Sequence, residues 1–66
     1  MSIQEIDAAL QEIAQRRASG AEPEAINEMV TTLACRSGHS YFFLKSNVKQ
    51  RAAEIRARRW RAEAAE

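Results

Sequence analysis

Cysteine, histidine, proline and glycine are scarce in this sequence of 66 residues, which holds one Cys, one His, one Pro and two Gly. A lone thiol, Cys35, closes no internal disulfide, which argues against a stapled secreted scaffold and points to a reducing, cytoplasmic setting. Cys35 and His39 are two potential ligands where a structural zinc site takes four, so neither metal nor cofactor is expected. They stand four residues apart around Gly38, near enough for a cysteine–histidine nucleophile pair, yet no third group is placed to orient the histidine. So short a chain leaves little room for a water-excluding pocket, the carboxylates are scattered, and there is no glycine-rich phosphate loop. The expectation is a protein that is not an enzyme, with Cys35 packed inside and His39 exposed at a turn. No apolar run approaches the ~20 residues of a membrane span, and no charged-then-apolar leader is read, so neither a membrane partner nor export is expected.

Charge, by contrast, is plentiful and unevenly placed. The net charge is only +1. Residues 1–34 carry six acids against Arg16 and Arg17, a balance of −4, while residues 35–66 carry eight bases against three acids, a balance of +5. Either the acidic half neutralises the basic half, within the fold or across a dimer, or the basic half faces a polyanion. Residues 1–66 read as a single small domain that buries only about 60% of its unfolded surface. Tight helix packing or self-association must supply the rest of its stability.

The apolar residues recur at helical spacing. Ser2 with Glu5 forms a capping box, and Ile3, Ile6, Leu10 and Ile13 follow at steps of three and four. Arg17 continues that stripe, which therefore becomes wet there, and Ser19-Gly20 ends the helix. This narrow stripe suits packing against another helix or a second copy of the chain, so Ile3, Ile6, Leu10 and Ile13 are candidate interface residues. Pro23 fits the first position of a second helix, where Ile26, Met29, Val30 and Leu33 share a face and Gly38 supplies the stop. A third helix starts at Tyr41 behind a Ser40 cap, or near Val48 behind Ser46-Asn47. On it, Tyr41, Leu44, Val48, Ala52 and Ile55 form one stripe. Phe42, Ala53, Ala57, Trp60 and Ala64 lie on another side, and Trp60 joins the candidate interface. The fold expected is all-α, a three-helix domain with a long C-terminal helix, assembled as a homodimer or larger oligomer. Thr31, Thr32 and the run Tyr41-Phe42-Phe43 favour strand, which leaves an α+β helix–hairpin–helix as the alternative for residues 29–45.

Residues 33–44, LACRSGHSYFFL, combine a small residue, a turn glycine, a capping hydroxyl and flanking leucines. Leu33, Ala34, Arg36, Ser37, Gly38, Ser40 and Leu44 together resemble the helix-turn-helix of phage repressor and Cro-type regulators of transcription. The resemblance implies DNA binding, with the helix from Ser40 entering the major groove and Ser40, Tyr41, Phe42, Lys45 and Lys49 at its reading edge. Arg56, Arg58 and Arg59, with Trp60 interleaved, suit phosphate contacts, or else form a solvated helix face paired with Glu54 and Glu63. Duplex DNA is thus one expected partner. The opening MSIQEIDAAL is also similar to the short gpW-type head-to-tail joining proteins of phages, built as helix, hairpin, helix. That resemblance implies a protein-binding adaptor instead, and a small helical inhibitor of an enzyme is a third reading.

Overall fold

Each helix begins and ends where local chemistry dictates. The Ser2 hydroxyl oxygen accepts the Glu5 backbone N–H at 3.1 Å and so opens α1, Ile3–Ala18. In the computed structural model, which describes residues 1–64, α2 covers Pro23–Ser37 and α3 covers Tyr41–Ala64. No strand occurs among the described residues. Pro23 occupies the first turn of α2, where the missing N–H has no helical partner to lose. Gly38 closes α2 in the left-handed region at φ +75°, its N–H bonded to the Ala34 carbonyl at 2.9 Å.

The helix–hairpin–helix alternative is thereby corrected. Residues 29–45 are the second half of α2, a three-residue corner and the start of α3. Leu33 and Leu44 on either side of that corner are both buried. Strand preference of threonine and aromatic side chains depends on context, and here burial at a period of 3.6 prevails. Ser46 and Asn47 lie inside α3 rather than capping it, so the third helix is the longer of the two versions expected.

Nine residues make the core: Leu10, Ile13 and Ala14 from α1, Ile26, Val30 and Leu33 from α2, and Leu44, Val48 and Ala52 from α3. Three from each helix is the signature of a bundle with one shared seam. Arg51 fixes how α3 lies on α1. Its guanidinium donates to Asp7 Oδ1 at 2.6 Å, to Gln11 Oε1 at 3.2 Å and to Asn47 Oδ1 at 2.6 Å. Further along, Arg56 donates to the Arg17 carbonyl and Arg59 to the Ser19 hydroxyl. Rising numbers on α3 therefore meet rising numbers on α1, and the two helices run parallel. The Tyr41 hydroxyl reaches Asn27 Oδ1 at 3.1 Å, so α3 folds back antiparallel to α2. α3 outruns α1 by eight residues, about 12 Å of helix. Everything from Arg56 to Ala64 is exposed.

Candidate nucleic-acid interface

The corner that carries the regulator-like motif is built by packing on one side and solvent on the other. Leu33 and Leu44 are buried, Ala34 is half-buried, and Ser40 accepts the Leu44 N–H on its carbonyl at 3.1 Å. His39 is exposed and lies against Phe43, ring centroids 6.0 Å apart. Cys35, expected inside, is exposed. Two residues beyond Leu33 it sits roughly 200° around the helix, on the face away from the core.

α3 sorts the cations that the sequence grouped together. At roughly 100° per residue, Lys45, Lys49 and Arg56 fall within about 40° of one another on the edge of α3 beside α2. Phe42 and Trp60, eighteen residues and so five whole turns apart, lie on the same edge. Both are well exposed, at 79% and 70%. The result is a ridge running Phe42, Lys45, Lys49, Arg56, Trp60. Arg58 points to the opposite edge, where it borders a shallow hollow with Gln15 and Arg16 of α1. Arg59 turns under the end of α1, its Nη2 3.4 Å from Ser19 Oγ. The C-terminal arginines thus occupy three different directions.

The remaining reading-edge residues divide as well. Ser40 is exposed at the corner and Lys49 is exposed on the ridge. Tyr41 is half-buried, its hydroxyl held by Asn27, so it is spent on the contact between α2 and α3. Lys45 Nζ stands 5.7 Å from the Tyr41 ring centroid, a cation resting over an aromatic face.

Of the candidate interface residues, Leu10 and Ile13 are buried in the chain's own core and have no surface to offer a partner. Ile6 is half-buried, packed against that core. Ile3, 86% exposed, and Trp60 remain outside, at the start of α1 and the end of α3.

Acids neutralise few of these cations. Among the described residues the ion pairs are Arg16–Glu12 within α1 and Arg51–Asp7 between α1 and α3. Among the described residues the one ion pair between the acidic half and the basic half is therefore Arg51–Asp7, and Glu54 and Glu63 pair with none of the arginines beside them.

Arg17 is the functional candidate that the sequence reading passed over. It lines a groove of about 280 Å³ with Lys45 and Arg56, floored by Gly20, Ala21, Pro23, Ile26 and Asn27. The signal was available: a cation continuing an inward-facing apolar stripe must emerge at the edge of the core.

The chain matches no family model, no curated protein and no solved structure.

Proposed function

We propose that this chain is a small DNA-binding regulator that acts without catalysis, laying α3 along a duplex with the Gly38 corner presenting it. The observation that supports this most directly is the ridge itself, in which Lys45, Lys49 and Arg56, without an ion pair among the described residues, stand in line between exposed Phe42 and Trp60. Cations spaced along one edge of a helix match a polyanion better than a compact ligand. A helix fits the major groove, and Ser40, Phe42, Lys45 and Lys49 form the part of α3 nearest the corner that is free to approach base edges.

A gel-shift series with random duplex DNA tests the reading. At ~50 mM salt a shift is expected, with affinity falling steeply as salt rises because bound counterions are released. Lys49→Ala should weaken binding and flatten the salt dependence by about one phosphate contact. Absence of any salt-dependent shift overturns the reading. The second reading is a protein-binding adaptor or inhibitor, favoured by the exposed Ile3, Phe42, Phe43 and Trp60. It predicts that Trp60→Ala abolishes capture of a partner while Lys49→Ala leaves it intact.

A further inference from the structure

Three cations line the groove between the end of α1, the start of α2 and the middle of α3: Arg17, Lys45 and Arg56. No carboxylate lines it, although Glu22 and Glu24 flank Pro23 in the sequence. None of the three cations makes an ion pair among the described residues. A groove bordered by cations and by no acid gains stability when an anion enters.

The cations are also positioned rather than loose. Arg56 is tethered through one Nη2 hydrogen bond to the Arg17 carbonyl at 3.2 Å, which leaves the rest of its planar fork open. Arg17 is half-buried, so its stem is fixed by neighbours, while Lys45, also half-buried, borders the groove with its ammonium over the Tyr41 ring, on the side away from Arg56. α2 starts beside the groove with no side-chain cap. Its first-turn N–H groups add positive potential of the same sign.

We propose that this groove is a binding site for one tetrahedral phosphate group, gripped by Arg17 and Arg56, with Lys45 at its rim adding positive potential. Bidentate geometry from arginine suits phosphate oxygens in particular. The group has two possible sources, a phosphodiester of a nucleic-acid backbone or a free phosphomonoester. The first source rests on the DNA-binding reading above, in which the groove at the flank of the ridge would seat one backbone phosphate. The second is independent of that reading.

Titration of the full-length, isotope-labelled protein with inorganic phosphate, at ionic strength held constant with chloride, tests the site by amide chemical shift. Saturable shifts are expected at Gly20, Ala21 and Asn27 and around Lys45 and Arg56. Arg17→Gln, checked for an unchanged helical spectrum, should weaken phosphate binding about tenfold, the loss of one charge-assisted contact. Because Arg56 also holds a backbone carbonyl, Lys45→Gln serves as the second variant, with a smaller loss of about threefold from its charge alone. A short duplex is then titrated into the same variants. If duplex and phosphate move the same amides and both weaken in Arg17→Gln, the source is the backbone. If phosphate binds in the groove and no duplex binds, the site stands and the DNA reading falls. If phosphate saturates the groove while duplex binds undiminished in both variants, the source is a free phosphomonoester; if phosphate shifts are non-saturable and spread equally to Arg58 and Arg61, the groove is not a phosphate site.

Discussion

Gly38 stands at the one backbone position the corner cannot do without. Its φ of +75° suits glycine, while nothing lies within 4 Å of where a Cβ would sit. A substitution there therefore meets strain and no clash. Gly38→Val is expected to cost about 1–2 kcal/mol in urea unfolding, and Gly38→Asn distinctly less, because asparagine tolerates the left-handed region. Equal and negligible losses for both would contradict the geometry. Arg51 works differently, tying Asp7, Gln11 and Asn47 together from a half-buried position. Asp7 is largely exposed, at 63%, so its charge is well screened. Arg51→Met should cost about 1 kcal/mol through lost hydrogen bonds, and Asp7→Asn about half of that, with the difference shrinking at high salt. Ser2, Pro23 and Gly38 were legible in the sequence because a cap, a first-turn proline and a left-handed stop are decided within a few residues. Cys35 was not, because its exposure depends on which side of α2 faces the core.

At the scale of the element, α1 and α2 are fastened along most of their length and α3 is not. Leu44, Val48 and Ala52 anchor it, Ile55 is half-buried, and the turns beyond are exposed. Hydrogen exchange should resolve this gradient: amides near Val48 should exchange only with global unfolding, and those of Arg61–Ala64 close to the rate of an unstructured peptide. Uniform protection along α3 would mean that its end is covered, by a second copy or a partner. Helical periodicity made all three elements readable, and the two sides of α3 as well. What it left open was the rotation of α3 against its neighbours. Lys45 and Lys49 could be paired from spacing alone, but the division of Arg56, Arg58 and Arg59 among three directions follows from the parallel contact with α1. The groove between the three helices was hidden for the same reason, since Arg17 and Lys45 are far apart in sequence and border one groove only after both corners have closed.

As a whole molecule the chain exposes more than its size calls for. A folded monomer of 7.4 kDa is expected to expose about 4200 Å², and this one exposes 4907 Å². Its radius of gyration, 12.6 Å, likewise exceeds the about 10.8 Å of a compact chain of this length. The end of α3 beyond Ile55 is exposed throughout its described residues, Trp60 among them at 70%. We therefore expect light scattering at micromolar concentration to return about twice the chain mass, and Trp60→Arg to return a monomer with an unchanged helical spectrum. A single-chain mass for the unaltered protein across that range would exclude self-association. An odd number of helices running up, down and up has another outcome. The chain enters at one end of a 43 Å body and leaves at the other. Two copies fused in tandem by a linker shorter than about a dozen extended residues can stack end to end or fold back side by side in opposite directions, whereas only a longer linker lets them lie side by side in the same direction. Linker length thereby becomes a ruler: the shortest fusion that reproduces the native assembly reports which way the second copy points.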